Sequence, residues 1–259
     1  MRLDQYMVQA KIARSRTLAA KMVEGGHISI NGRTVTKPAQ KLKEGDKVRV
    51  RRSELTEYVS RAGHKLAGAL DAFPQITIAG KFCLDAGAST GGFTDVLLRR
   101  GAHRVAAVDV GHDQLVEQIR NHPAVDVYEG MNVRHMSPQD IGGQVDLTVS
   151  DLSFISLTKV ISPLAEATAA GGDLLLMVKP QFEVGPTRIG KGGVVTDPQA
   201  RAEAVASVRA AAQEAGLLVL GEKESPLPGQ DGNVEFFLWC QKPAKTTTTE
   251  KSLTTSKVE

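Results

Sequence analysis

Apolar positions in the first part of the chain change from a helical period to a strand-like period. Residues 3–10 carry apolar side chains on one helix face, and Ser15 is placed to cap a second helix. The run Ile28-Ser29-Ile30 alternates as a strand does, and Asn31-Gly32 is a favoured two-residue hairpin turn. Residues 1–52 are therefore predicted to form a small α+β domain.

A second pattern begins near residue 82, where short apolar runs alternate with amphipathic segments. The runs predict strands near residues 82–85, 105–109, 125–128, 147–151 and 174–178, and the segments predict helices near 93–100, 114–121, 156–169 and 198–215. Two last strands are predicted near 217–221 and 234–240. This order indicates an α/β fold of the Rossmann-like type, a mostly parallel seven-stranded sheet with helices on both faces.

The stretches between and after these patterns predict the domain boundaries. Residues 53–59 are polar and charged, and they are predicted to be a linker to a second domain over 60–241. Residues 242–259 are rich in Thr, Lys and Ser without periodicity, and a disordered tail is predicted there.

Charge is divided unevenly between the two predicted domains. Residues 1–52 contain 13 Lys and Arg against four acidic residues, a net charge of +9, whereas the rest contains 19 against 25, a net charge of −6. A basic module on a mildly acidic body indicates a polyanionic partner. The candidate nucleic-acid contacts are Arg2, Arg14, Arg16, Lys21 and Arg61, together with Arg188 and Lys191 in the glycine-rich loop 185–195. The alternatives are that Arg14 and Arg16 are ordinary solvated side chains and that the loop is a plain surface loop.

The composition excludes several classes of protein. No run approaches the roughly 18 apolar residues that a membrane span needs, and the first residues lack the apolar core of a signal peptide. Cys83 and Cys240 lie in apolar strand-like runs, which favours buried thiols over a disulfide or a metal site. We therefore expect a cytoplasmic protein without a metal ion, and oligomeric state is left open.

The turn after the first strand of the second domain predicts a cofactor site. The stretch Leu84–Phe93 leaves a strand, turns on glycines and enters a helix, at the sheet edge where ligands bind in open α/β folds. Its spacing differs from that of dinucleotide enzymes, and an acid ends the second strand 24 residues after Asp85, where it can accept ribose hydroxyls. A nucleoside without a pyrophosphate fits this pattern, and S-adenosylmethionine (SAM) fits best. The candidate residues are Asp85, Gly87, Ser89, Thr90, Gly91, Gly92, Phe93, Asp109, Asn132 and Asp151. A plain strand-to-helix turn is the alternative, and Asn132 has the weakest support because it also suits a turn.

Four charged residues occupy places suited to chemistry at the same edge. Asp151 closes the fourth predicted strand, Lys179 closes the fifth, Glu235 is predicted inside the apolar final strand, and Lys65 belongs to the helix before the sheet. Each has an ordinary alternative: a solvated helix face for Lys65, a helix cap for Asp151 and a loop lysine for Lys179. Glu235 is harder to explain in that way, because a buried charge needs a partner.

In combination these motifs resemble the TlyA family of rRNA 2'-O-methyltransferases, often labelled haemolysin A. The N-terminal stretches Arg2-Leu3-Asp4, Ala13–Arg16 and Ile30–Gly32 resemble an S-four RNA-binding domain. The catalytic part, of the FtsJ type, is matched by Tyr58–Leu66, Asp85–Phe93, Asp151–Leu157, Val178–Glu183 and Ser225–Trp239. The resemblance implies a Lys-Asp-Lys-Glu tetrad at Lys65, Asp151, Lys179 and Glu235, with SAM as methyl donor and a ribose in ribosomal RNA, a cytidine, as substrate. Whether the small subunit, the large subunit or both are modified stays open.

Three other functions fit the sequence less well. The intact glycine turn and tetrad speak against a ribosome-assembly factor that only binds RNA. The lysine tetrad favours oxygen over a base amine, since the Asn/Asp-Pro-Pro-aromatic pocket of base-amine enzymes is absent after Ser150. A cytolysin would call for an export signal or a strongly amphipathic helix, neither of which the sequence contains.

Overall fold

The structure, a computed structural model, describes residues 1–10, 12–13, 15–51 and 57–244, and of Lys191 only the backbone. It contains two compact units that divide between His64 and Lys65. Most of the predicted linker (53–56) and most of the predicted tail (245–259) lie outside the described residues.

The first unit is a pair of short helices against a small sheet. Helices α1 (Leu3–Gln9) and α2 (Arg16–Glu24) precede strands β1 (Ile28–Ile30), β2 (Arg33–Val35) and β3 (Val48–Val50). The sheet order is β2-β1-β3 with antiparallel pairing throughout. The hairpin at Asn31-Gly32 is confirmed by the β1–β2 pairing, and the Ser15 cap is confirmed because its side chain accepts from the Leu18 amide. Leu3, Met7, Met22, Val23 and Ile28 are buried together in its core.

Helix α3 (Ala62–Ala72) crosses the division between the units, and the second unit then alternates strands with helices. Its further helices are α4 (Gly92–Arg99), α5 (Glu117–Arg120), α6 (Ile161–Ala167), α7 (Pro180–Glu183) and α8 (Pro198–Glu214). Its strands are β4 (Phe82–Ala86), β5 (Arg104–Asp109), β6 (Val125–Glu129), β7 (Val145–Ser150), β8 (Thr168–Val178), β9 (Leu218–Glu224) and β10 (Phe236–Gln241). Short 3-10 turns occur at Val133–His135, Pro138–Ile141, Leu157–Lys159, Pro186–Arg188 and Lys191–Gly193.

One seven-stranded sheet, in the order β6-β5-β4-β7-β8-β10-β9, confirms the predicted fold. Strands β4 to β8 pair in parallel, and β10 enters antiparallel between β8 and β9. The chain runs outward from β4 to β6 and then returns to place β7 on the other side of β4. That reversal opens a crevice at the carboxyl ends of β4 and β7, where open α/β sheets bind ligands.

Three predicted element bounds were wrong. The predicted helix over 156–169 is a 3-10 turn, the short helix α6 and the start of β8. Pro163 explains this, because proline is tolerated in the first turn of α6 but would clash with the preceding turn inside a longer helix. The helix predicted over 114–121 shrinks to α5, since Val116 is extended. Strand β10 begins at Phe236, so Glu235 precedes the final strand instead of lying within it.

Two further expectations can be compared with the described part of the chain. No helix there is long and apolar enough to cross a membrane. Cys83 and Cys240 are both free and fully buried, which confirms the buried thiols, and burial raises the pKa of each thiol to about 12.

Candidate active site

The carboxyl ends of four parallel strands bring the candidate residues to one edge of the sheet. Asp109 ends β5, Gly87 follows β4, Asp151 follows β7 and Lys179 follows β8. Because β10 runs antiparallel with Phe236 opposite Val178, Glu235 reaches the same edge from the other direction. Five strands thus contribute to one site. The order of elements in the sequence predicts this meeting point for the four parallel strands but not for β10.

A cavity of about 520 Å³ opens at this edge, beside the crevice between β4 and β7. Its wall combines backbone turns, apolar side chains and a few polar groups, which suits a nucleoside. The lining residues are Gly87, Ser89, Val108, Asp109, Val110, Gln114, Met131, Asn132, Val133, Asp151, Leu152, Ser153, Phe154 and Ile155.

Gly87 forms the tight turn at the end of β4. Its φ is +90°, and a Cβ there would lie 2.8 Å from the carbonyl oxygen of Asp151. Any side chain would therefore be strained and would push apart the two loops that carry the site. The glycine lets the β4 and β7 ends approach each other closely beside the cavity.

Asp109 is held in a fixed orientation at the cavity wall. Its Oδ2 accepts from the amide of Ser89 at 2.8 Å, and its Oδ1 accepts from the amide of Gly111 at 2.7 Å. Asn132 also lines the cavity, but its side-chain oxygen accepts from the amide of Arg134 at 3.0 Å and caps a 3-10 turn. The turn-forming alternative weighed for Asn132 is thus present in the structure.

The other residues of the glycine stretch do not line this cavity. Asp85 is fully buried, and its Oδ2 accepts from the hydroxyl of Thr94 at 2.6 Å. Burial, opposed by that hydrogen bond, raises the pKa of Asp85 to about 7. Thr90 and Gly91 belong to the turn, whereas Gly92 and Phe93 open helix α4 and are buried. Their assignment as cofactor contacts stays a prediction.

Two lysine–carboxylate pairs stand at the sheet edge. Lys179 Nζ lies 2.6 Å from Asp151 Oδ1, and the exposed fractions of the two side chains are 10% and 16%. The same Nζ donates to the hydroxyl of Ser153 at 2.9 Å. Lys179 is thereby held by two partners from the loop after β7.

Lys65 and Glu235 form the second pair, which is more deeply buried. Lys65 Nζ donates to Glu235 Oε2 at 2.5 Å, with exposed side-chain fractions of 8% and 3%. The prediction that a buried Glu235 needs a partner is confirmed, and that partner is Lys65. Gly229 packs against this carboxylate, because a Cβ there would lie 2.6 Å from Glu235 Oε1.

Sequence reasoning missed two residues that shape these pairs. Ser153 contacts Lys179, and Gly229 leaves room for the Glu235 carboxylate. Ser153 lies two positions after Asp151 in a loop, where its hydroxyl resembles many ordinary loop serines. Nothing in the local pattern around Gly229 distinguishes it from a turn glycine, so only the tertiary structure reveals either role.

In the first unit, two of the candidate RNA contacts share one carboxylate. Asp4 is buried, and it binds the guanidinium of Arg2 at 2.9 Å and that of Arg16 at 3.1 Å. The side chains of the two arginines remain 43% and 57% exposed. Hydrogen bonding from Arg2 lowers the pKa of Asp4 to about 2.

The remaining candidate RNA contacts are scattered. Lys21 is exposed on helix α2, and Arg61 is exposed just before helix α3. Arg188 is paired with Glu203 and lies 3.9 Å from Asp197, so its charge is partly neutralised. Arg14 and the side chain of Lys191 lie outside what the structure describes.

Comparison with known protein families agrees with this arrangement. Residues 58–242 match the FtsJ-like methyltransferase family, and residues 1–48 match the S4 domain. The chain belongs to the FtsJ-like methyltransferase family. It is therefore a SAM-dependent methyltransferase that carries an S4 RNA-binding domain.

Individual relatives place this FtsJ-like methyltransferase in the TlyA group. It is 48% identical over 258 residues to the 16S/23S rRNA (cytidine-2'-O)-methyltransferase TlyA of Mycobacterium tuberculosis, covering 100% of this chain and 94% of the relative. It is 30% identical to the 23S rRNA (cytidine-2'-O)-methyltransferase TlyA of Campylobacter jejuni, with 92% and 98% covered. A solved structure described as a hemolysin from Streptococcus thermophilus superposes with a TM-score of 0.73 at 35% identity, covering 96% and 92% of the two chains.

Proposed function

We propose that this methyltransferase modifies the 2'-hydroxyl of cytidine in ribosomal RNA of both subunits, in the cytoplasm. The observation that carries the proposal is the occurrence of two lysine–carboxylate pairs at the sheet edge, where Asp151 of one pair also lines the nucleoside-sized cavity. The 48% identity with the 16S/23S rRNA enzyme of M. tuberculosis supports the choice of both subunits.

The cavity fits the cofactor that the family uses. Asp109, held by two backbone amides, is placed to accept the ribose hydroxyls of SAM, and the turn at Gly87 and Ser89 lines the approach. Met131, Val133 and Ile155 supply the apolar wall that a purine needs. When bound, SAM supplies an electrophilic methyl group on a sulfonium.

Lys179 is assigned as the group nearest the ribose hydroxyl. A 2'-hydroxyl is a weak nucleophile, so it must be oriented and its developing negative charge must be stabilised as the proton leaves. Asp151 and Ser153 fix the position of the Lys179 Nζ for this purpose. Lys65 and Glu235 complete the charge balance at the same edge as a second, mutually satisfied pair.

RNA would be held mainly through its phosphates. The exposed guanidinium groups of Arg2 and Arg16, with Lys21, offer a sequence-independent basic surface in the S4 domain. Arg61, Arg188 and Lys191 are proposed to add contacts from the methyltransferase domain. The target nucleotide would leave its stack so that its ribose reaches the sheet edge.

The test is transfer of radiolabelled methyl from SAM to purified small and large ribosomal subunits, followed by mapping of the modified nucleotide. Label in 2'-O-methylcytidine in both subunits is expected. Label in only one subunit would correct the substrate range. Label on a base, or bound SAM with no transfer to either subunit, would contradict the proposal.

A further inference from the structure

We infer that Glu183 is a positioning residue for methyl transfer. This inference rests on the proposed function. It fastens the loop after β7, residues 151–157, to the segment that carries Lys179. The loop is thereby kept in the conformation that sets Asp151 beside Lys179. The Glu183 carboxylate binds Ser156 and Leu157, neither of which belongs to the lysine–carboxylate pairs, and Glu183 is not among the residues that line the cofactor cavity described above.

The contacts of Glu183 are directed at one short stretch of this loop. Its Oε2 accepts from the hydroxyl of Ser156 at 2.5 Å, and its Oε1 accepts from the amide of Leu157 at 2.8 Å. Burial raises the pKa of this half-buried carboxyl. A glutamate that only improves solubility would keep its carboxylate in water. Here both carboxylate oxygens accept hydrogen bonds from the loop.

Glu183 and Lys179 act from the two ends of the same short helix. Lys179 immediately precedes α7 and binds Asp151 and Ser153, whereas Glu183 ends α7 and binds Ser156 and Leu157. Two bridges therefore join the loop after β7 to the segment after β8. Without the Glu183 bridge, the polar contacts from this segment to the loop are those of Lys179, the residue proposed to assist the reaction, and the Phe154–Phe182 ring contact remains.

The part of the loop between the two bridges is strained. Phe154 has a φ of +63°, which is unfavourable for a residue with a large side chain and costs about 1–3 kcal/mol. Its side chain is 91% exposed, so burial does not hold the conformation, although the ring lies 5.3 Å from that of Phe182. The two bridges hold the loop on both sides of Phe154, together with the buried Leu157, and we expect the loop to relax part of this strain without Glu183.

The experiment compares Glu183→Ala with Glu183→Gln in the full-length enzyme. A glutamine can still accept from the Leu157 amide and can donate to the Ser156 oxygen, so it preserves the bridge that alanine removes. Glu222→Ala is the matched control, since Glu222 forms an exposed pair with Arg209. For each variant, kcat, KM for the ribosomal subunit, Kd for SAM and Tm are measured.

We expect kcat of Glu183→Ala to fall about 10- to 100-fold, because small displacements of reacting groups have effects of this size. Kd for SAM should change less than about threefold, and Glu183→Gln should recover most of the lost kcat. Ser156→Ala removes one of the two hydrogen bonds and is expected to lower kcat to an intermediate value. This variant keeps the inference testable if Glu183→Ala does not fold.

Two results would overturn the inference. The first is wild-type kcat in Glu183→Ala or Ser156→Ala with only Tm lowered, which would make the contact purely stabilising. The second is a Glu183→Gln variant as impaired as the alanine variant, which would show that the charge matters and not the bridge. Absence of transfer by the wild-type enzyme would instead contradict the proposed function, so the two failures are distinguishable.

Discussion

Both units of this methyltransferase pair basic side chains with carboxylates, but at very different depths. In the S4 domain the buried Asp4 binds Arg2 and Arg16, whose side chains stay 43% and 57% exposed. At the sheet edge the side chains of Lys65 and Lys179 are only 8% and 10% exposed. The same type of ion pair therefore lies at the surface of one unit and at the buried edge of the candidate active site in the other.

The difference in depth implies a difference in energetics. Exposed guanidinium groups keep most of their donors available to a phosphate, and salt screens their interactions. A buried lysine has lost its hydration, so it depends on its carboxylate, and removal of one partner leaves an uncompensated charge. We expect large, salt-insensitive effects from changes at the sheet edge and smaller, salt-dependent effects in the S4 domain.

The largest effect is expected for Lys179→Ala. Methyl transfer to ribosomal subunits should fall by at least about 10³-fold, because the group that we propose to orient and stabilise the attacking oxygen is lost. Kd for SAM should stay within a few fold of the wild-type value. Lys223→Ala, at an exposed lysine of β9, is the control and should transfer normally. Full activity of Lys179→Ala would refute the assignment of this residue.

A large effect on stability is expected at the Lys65–Glu235 pair. Glu235→Leu should lower the free energy of unfolding in urea by about 3–5 kcal/mol, because Lys65 is left buried without its partner. Adding Lys65→Met should restore much of that loss, since no charge then remains buried. The exposed Arg209–Glu222 pair is the comparison, and Glu222→Leu should cost less than about 1 kcal/mol. Equal losses of unfolding free energy at the two pairs would contradict the expectation that the effect grows with burial of the ion pair.

A pH-dependent effect is expected from Asp85, whose pKa burial raises to about 7. The folded state keeps the proton up to that pH, whereas the unfolded state loses it near the ordinary aspartate pKa of 3.8. Stability from this group is therefore present at low pH and falls as the pH rises from about 4 to 7. Relative to Asp85→Asn, the wild type should lose at most about 4 kcal/mol over this window, measured by urea unfolding. A constant difference between the two proteins would contradict a raised pKa.

The smallest effect is expected at Arg16. Arg16→Ala should weaken rRNA binding several-fold and reduce the salt dependence of log K by about one phosphate contact. Kd for SAM and Tm should stay nearly unchanged, because more than half of the side chain is exposed. Binding titrations at several salt concentrations measure both quantities. An affinity loss that is independent of salt would indicate a structural role for Arg16 in place of a phosphate contact.

The sequence predicts well those features that depend on local pattern and chain order. Alternating strands and helices, the Asn31-Gly32 hairpin and the Ser15 cap all follow from periodicity and turn chemistry, and the structure confirms them. The helix predicted over 156–169 failed because its apolar spacing continues past Pro163 and into residues that pair as a strand. Pattern alone does not reveal that β8 begins at Thr168, where pairing with β7 overrides local preference.

In the candidate site, too, the sequence predicts what depends on chain order but not what depends on long-range contacts. Resemblance and strand order place Asp151 and Lys179 at one edge, but they do not reveal which acid pairs with which lysine. The partner of Glu235 is Lys65, 170 residues earlier in the chain, and long-range pairing of this kind has no local signal. Ser153 and Glu183 are equally inconspicuous in the sequence, because their contacts depend on how two loops meet.

The antiparallel position of β10 between β8 and β9 has a consequence for synthesis of the protein. Glu235 and the strand that follows it are among the last described residues to leave the ribosome, whereas the S4 domain leaves first. A nascent or truncated chain that ends before residue 235 contains the whole basic domain. It also contains Lys65, Asp151 and Lys179 of the tetrad, but Lys65 lacks its partner Glu235. On the proposed assignment of Glu235, the translation order delays the active enzyme until nearly all of the second unit exists, and we expect shorter products to lack methyl transfer even where their S4 domain is complete.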